Sequence, residues 1–346
     1  MAAVAKTLTQ RELNRALLAR QLLLERARAP LPRALERVGG LQAQYAPSMY
    51  IGLWSRISGF ERDRLTQALE RRSVVQGTLM RATIHLVSAR DYWRFAVGVR
   101  TARQAWWLRV HRNHADARAM GMAAERLRRY LAGGPRHRSE IEQLLGKQPA
   151  AGIGIWLDLV RVPPSGTWGR RRADLYAAAA DWLGPENASP QEGIEHLVRR
   201  YLGAFGPAAP ADITNWAGVP AGHIAPALEC LRLRRFRDEE GKELLDLPRA
   251  RLPGPDAPAP PRFLPTWDAT LLAHARGTGI LPERHRPLVF NTKTPQSVPT
   301  FLVDGIVAGT WREEGGRVKL QPFEPVPRRF RRDLEDEKAR LEAFLA

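Results

Sequence analysis

The sequence predicts an α+β protein: three tandem winged-helix units (helix-turn-helix plus β-wing), then a C-terminal β-rich region and a closing helix. Three observations carry this expectation. Residues 32–87 run in the order helix, helix, helix, hairpin, the order of a winged helix. The segment RRYLAGGPRHRSEIEQLLG (128–146) is echoed by RRYLGAFGPAAPADITNWAG (199–218), with Arg129-Tyr130-Leu131 matching Arg200-Tyr201-Leu202. Repetition of this kind sets architecture before any motif does. A Pro-rich stretch, PRARLPGPDAPAPPR (248–262), then separates the repeats from a strand-rich remainder. The expected boundaries are 1–120, 121–190, 191–250 and 251–346.

The elements follow in order. Thr9 and Glu12 make a capping-box pattern, and Leu13, Leu17 and Leu24 mark an amphipathic helix to about Arg28. Pro30 and Pro32 break it, and a short helix at 32–38 leads to Gly39-Gly40. Helices are predicted at 47–57 and 61–72, then a hairpin over VVQGTLMRATIHLV (74–87) with Gly77 at the bend. Each repeat is an amphipathic helix, a Gly-Pro turn and a short helix closed by Gly146 or Gly218, with Ser139 and Glu142 as a further capping box. The wings are LDLVRVPPSGTWGRR (157–171), turning at Pro164-Ser165-Gly166, and LRRFRDEEGKELLDL (233–247), turning near Gly241. Residues 278–320 read as strands, with a hairpin over 287–305. The tail from Asp333 reads as the closing helix, preceded by Arg328, Arg329, Arg331 and Arg332.

Charge narrows the class of partner. The 346 residues carry a formal charge of +18, with a pI near 11.1. Lysine occurs only at positions 6, 147, 242, 293, 319 and 338, so arginine supplies most of the excess. Its planar fork suits phosphate, which points to nucleic acid. Solvated arginine faces would give the same totals. Cys230 is the only cysteine, so an intramolecular disulfide and a cysteine zinc site are both excluded. No signal-peptide pattern or long apolar run is present, so a soluble, cytoplasmic, nucleoid-associated protein is expected.

The stretch Leu41-Gln42-Ala43-Gln44-Tyr45 is the candidate site. In a strand, side chains alternate, so Gln42 and Gln44 share one face; on a helix they would diverge by about 200°. Paired amides can hold a water without bringing a charge. The run LQAQYAPSMYIGLWSRI (41–57) resembles the AlkZ-like DNA glycosylases, the winged-helix family that also contains the YcaQ-like enzymes. Gln42, Ala43 and Gln44 match that family's Gln, apolar, Gln pattern. YcaQ-like members end it in Asp, which places this chain on the AlkZ-like side. LMRATIHLV (79–87), FLPTWDATLLAH (263–274) and PTFLVDGIVAGTW (299–311) agree.

The resemblance implies a monofunctional DNA glycosylase that binds damaged double-stranded DNA as a monomer, without metal or cofactor. It would hydrolyse the N-glycosidic bond of N7-alkyl purines, with interstrand crosslinks as a further substrate. The setting would be resistance to genotoxic natural products or general alkylation repair. An N7-alkyl purine is already cationic, so it is a good leaving group and needs little acid assistance. The Gln oxygens can accept hydrogen bonds from water and face the developing cation. No lysine stands in the motif, so no Schiff-base step is expected.

Other residues suit cleft or backbone roles. Tyr45 ends the motif. Arg81, Thr83 and His85 alternate on one predicted strand and suit a cleft wall or a phosphate contact; a satisfied structural histidine fits His85 equally. Trp267 and Asp268 lie in a matched stretch, where Asp268 suits cleft support, a helix cap or an ion pair. His111 and His114 lack a third metal ligand. Arg170, Arg171 and Arg172 beside the second unit's wing suit DNA phosphates, as do Arg284, Arg286 and Lys293 around a hairpin at 290–300 that the resemblance implies probes the groove. The rival reading is a winged-helix transcription regulator without catalysis. Such regulators usually dimerise on paired half-sites, whereas this chain carries three units itself.

Overall fold

In a computed structural model, the chain is described at residues 6–112, 116–274, 279–291 and 296–346. It opens with α1 (Gln10–Arg20), whose capping box is closed at both ends: Glu12 N–H donates to Thr9 Oγ1 and Thr9 N–H to Glu12 Oε2. The helix stops at Arg20, well short of Arg28, because its last side chains are used as ties. Arg20 reaches Asp246 at 2.8 Å and the carbonyl of Leu202 at 2.7 Å, and Gln21 donates to the carbonyls of Val38 and Ala204. Leu22 then turns the chain at φ +59, leaving Leu24 outside the helix.

The first unit contains α2 (Leu31–Val38), β1 (Leu41–Gln42), α3 (Ala46–Arg56), α4 (Arg62–Glu70), β2 (Val74–Thr78) and β3 (Ile84–Ser88). Gly40 is needed where the chain leaves α2: it has φ +81, and a Cβ there would stand 2.9 Å from Val87. The bend of the β2–β3 hairpin is not at Gly77, which lies inside β2. It is a short 3₁₀ turn at Met80–Ala82. A long helix, α5 (Ala89–Val110), follows.

The second unit contains α6 (Ala117–Leu131), β4 (Arg136–His137), α7 (Arg138–Leu145), α8 (Lys147–Trp156), β5 (Leu159–Arg161) and β6 (Leu175–Ala178), with a short α9 (Ala179–Leu183) beyond it. The third contains α10 (Pro190–Phe205), α11 (Pro210–Ala217), α12 (Ala221–Cys230), β7 (Arg234–Arg237) and β8 (Glu243–Asp246). In each unit a short early strand pairs antiparallel with the last one: β1 with β3, β4 with β6, and Ala208 with Leu245 of β8. Thus the order helix, strand, helix, helix, strand, strand occurs three times among the described residues. The sheets of the first two units join edge to edge through β2 and β5, giving the order β1-β3-β2-β5-β6-β4. That junction covers two exposed edges at once.

The C-terminal region contains β9 (Arg262–Leu264), α13 (Ala269–Leu272), α14 (Arg286–Val289), β10 (Phe290–Asn291), β11 (Gln296–Ser297), β12 (Thr300–Val303), β13 (Ile306–Glu314), β14 (Arg317–Pro322) and α15 (Arg328–Leu345). Residues 287–305 are therefore not one hairpin. α14 and the small β10–β11 pair come first, and the long hairpins turn at Asp304-Gly305 and Gly315-Gly316, all four of which are at positive φ. The closing helix begins at Arg328, so the four arginines lie on it.

One apolar core runs through α1, β2, β3, α5 and α10–α12 and reaches the C-terminal region. Another joins α2–α4 to β12, β13 and α15. The second unit closes a smaller core of its own, from Met120, Leu127, Ile141 and Ile153. α5 crosses α10 where Gly98 meets Gly193; a Cβ on either would come within 3 Å of the other backbone. No described helix is long and apolar enough to cross a membrane.

Candidate active site

The Gln pair is held by its middle residue. Ala43 N–H donates to the Ile84 carbonyl at 2.8 Å, and Arg161 Nη1 donates to the Ala43 carbonyl at 3.0 Å. The Ala43 methyl is fully buried in the core under α2 and α3. With that residue fixed inward, its two neighbours project the other way. β1 itself is only two residues long, with Gln42 opposite His85. Past it, the chain bends into α3, whose N-cap is Tyr45. Gln42 Nε2 donates to Gln44 Oε1 at 2.5 Å, with Gln42 half-buried and Gln44 exposed.

Arg81 sets the sense of this pair. Its Nη2 lies 3.5 Å from Gln42 Oε1. A guanidinium only donates, so the amide must turn its oxygen to Arg81 and its NH₂ to Gln44. One acceptor lone pair then remains on each Gln oxygen. Arg81 and Ala82 stand at φ +51 and +56, a conformation side chains rarely adopt. The turn is closed by backbone bonds from Leu79 to Thr83, Ala82 to Leu79 and Thr83 to Met80. It is backed by Gly218 at the end of α11, where a Cβ would stand 3.0 Å from Arg81 Cα.

His85 lies beneath the pair, only 3% exposed, with Nδ1 3.1 Å from the Thr83 carbonyl. Burial, and then the nearby charge of Arg81, push its pKa down to about 3, while the Thr83 carbonyl opposes this. It is a neutral imidazole at ordinary pH and brings no charge to the amides. Thr83 is half-buried, its hydroxyl donating to the Met80 carbonyl. Burial holds Arg81 and Arg161 below the usual arginine range.

Asp268 is buried rather than at an open wall. It takes a two-pronged bond from Arg56 at 2.8 and 2.9 Å and caps α13 through Thr270 N–H. Burial raises its pKa, but Arg56 outweighs this and the carboxyl stays below its ordinary value. Trp267 turns at φ +56, its N–H bonded to Ser297 Oγ at 2.6 Å. Tyr45 is 44% exposed beside Gln44.

The predicted phosphate contacts divide into three groups. Arg170, Arg171 and Arg172 are exposed on the β5–β6 loop; Arg170 and Arg172 share Asp174, and Arg171 lies over Trp168. That loop folds back on the first unit, where Trp168 meets Tyr50 edge-on. Arg284 is paired with Glu324 and Arg286 with Glu283 at the surface, pairs weak enough to exchange for a phosphate. Lys293 and His114 lie outside the described residues. Among the described residues, no group of three or more His, Cys, Asp or Glu could hold a metal ion.

Sequence reading missed Arg161, the Arg56 partner of Asp268 and Gly218 as the support of Arg81. Nothing local marks the first two, since each acts across more than a hundred residues. Gly218 was visible only as the end of a helix.

Chemically, the arrangement offers two neutral amides, each with a free acceptor lone pair, a cation behind one of them and, among the described residues, no carboxylate hydrogen-bonded to either. A family model described as DNA glycosylase AlkZ-like matches residues 35–344. No curated protein matches the chain. Among solved structures, the DNA glycosylase AlkZ of Streptomyces sahachiroi is similar in fold, with a TM-score of 0.82, 18% identity and 97% of each chain covered.

Proposed function

The chain belongs to the AlkZ-like DNA glycosylase family, and from that premise we propose that it is a monofunctional glycosylase for N7-alkylated purines in duplex DNA. Interstrand crosslinks through the same nitrogen are a further substrate. The α-β-α-α-β-β order at 31–88, 117–178 and 190–246 is read as three tandem winged-helix units, with the C-terminal region as a fourth body. The observation that carries the reading is the 2.5 Å hydrogen bond from Gln42 Nε2 to Gln44 Oε1, which joins the two amides into one neutral group with a free acceptor lone pair on each oxygen.

In this reading the two oxygens accept the hydrogens of one water and aim its lone pair at C1′. The C1′–N9 bond breaks, and its electron pair passes to the purine, cancelling the charge that alkylation put there. Water oxygen bonds to C1′, its proton leaves to solvent, and an abasic sugar remains. The amide dipoles give modest help to the cationic sugar. Modest help suffices for a charged leaving group and not for a normal base, which gives selectivity.

A duplex with one N7-methylguanine, treated with the protein and then mild alkali, tests this. Protein-dependent breakage at the lesion supports the reading. Tight binding to one sequence with no breakage at any alkylated base would instead indicate a regulator.

A further inference from the structure

We propose that Arg81 is a phosphate anchor: it grips a DNA phosphodiester beside the target nucleotide and, with the same guanidinium, holds the Gln42 amide in its working sense. This deepens the glycosylase reading and rests on it.

Arg81 has no acidic partner among the described residues, unlike Arg20, Arg56 and Arg103, which are buried against Asp246, Asp268 and Asp158. It opens instead onto a groove of about 860 Å³ between α5 and the α11–α12 turn. Arg109, Arg103, His223 and the half-exposed Trp106 also line that groove, and no Asp or Glu does. A concave site of this size that holds Arg81 and Arg109 without a carboxylate partner in its lining, beside an Arg103 already paired with Asp158, fits an anion. Trp106 adds a flat apolar face on which a sugar or base can lie.

The reaction itself calls for that anion. A bare guanidinium 3.5 Å from Gln42 Oε1 opposes the positive charge that develops on the sugar. A phosphate on Arg81 cancels the opposition at the moment DNA is bound, and leaves the hydrogen bond to the amide in place. The backbone supports such a role. Two successive left-handed residues without glycine persist only where the surroundings over-determine them, and such strain gathers at functional positions.

The test is a cycle between protein and DNA. Arg81→Asn suits the left-handed backbone, and Arg81→Lys keeps the charge without the fork. Each is titrated with duplexes that carry a stable abasic analogue and one neutral methylphosphonate at each position around it. This binding measurement needs no excision, so it separates failure of the anchor from failure of the glycosylase reading. For the wild type, one methylphosphonate position should weaken binding by about 10- to 100-fold, the scale of a lost charge-assisted hydrogen bond. Arg81→Asn should lose as much on the unmodified duplex and nothing more from that methylphosphonate. Arg81→Lys should recover part of the loss. If Arg81→Asn, with a wild-type melting profile, remains as sensitive as wild type to every methylphosphonate, the anchor is overturned.

Discussion

Between β7 and β8 the chain turns through Asp238 and Gly241; between β2 and β3 it turns through Arg81 and Ala82. In the first turn, glycine takes the left-handed position at φ +80, with nothing within 4 Å of where its Cβ would be. Asp238 Oδ1 accepts from the N–H groups of Glu240 and Lys242, so the turn satisfies itself. The second turn has two left-handed residues and no glycine, and it is held from outside by Gly218 of the third unit. A turn built by its own residues is a connection. A turn held in strain by a distant segment is positioned for something, here the guanidinium behind Gln42.

The two supporting glycines give the sharpest way to break this contrast. Gly218→Ala and Gly241→Ala each force a side chain into the left-handed region, at about 1–2 kcal/mol. Only Gly218→Ala also pushes on Arg81. Excision by Gly218→Ala should fall about tenfold or more, because small displacements at a site are costly in rate. Gly241→Ala should excise at the wild-type rate. Urea unfolding and single-turnover rates on both variants check this, and equal rates would remove the distinction between the turns.

His85 beneath the strained turn gives a second effect. It takes up a proton near 6.5 when unfolded but only near about 3 in the fold. Between those values the unfolded chain binds more protons, so this contribution is fully present above about pH 6.5 and is lost as pH falls. The loss should approach about 1.4 kcal/mol per pH unit between about pH 6 and 4. Urea unfolding across that range should show the slope in the wild type and a shallower one in His85→Gln. The smallest effect is expected of Ala82→Gly, which relieves one strained residue. Relief of about 1–2 kcal/mol is offset by the greater freedom of glycine in the unfolded chain, leaving a net gain below about 1 kcal/mol. A melting temperature lower than wild type would show that Ala82 is not strained.

The same contrast explains what the sequence could show. Asp238 and Gly241 announce their turn locally, and so do the Thr9–Glu12 capping box and the alternation of Gln42 and Gln44 around Ala43. Gly77 draws the expected β2–β3 bend to itself because glycine is the usual sign of a bend, whereas the real turn at Met80–Ala82 contains no glycine. α1 was drawn too long because its end is decided by Asp246 and Ala204, far along the chain. The Asp268 carboxylate was visible, with a cap or ion pair favoured over cleft support, but its partner Arg56 was not, and the fold joined them across 212 residues. The likeness of 128–146 to 199–218 was legible in the sequence; the β2–β5 junction was not, because β-edges carry no signal of which edge they will meet.

The central claim is that Gln42 and Gln44 act on one water. Single-turnover excision from an N7-methylguanine duplex by Gln42→Ala, Gln44→Ala and the double variant tests it most directly. Each single change should slow excision by about 10²–10³, the scale of a lost preorganised group, and the double variant should be little slower than either, since both losses disorder the same water. Wild-type rates in both single variants would contradict the account.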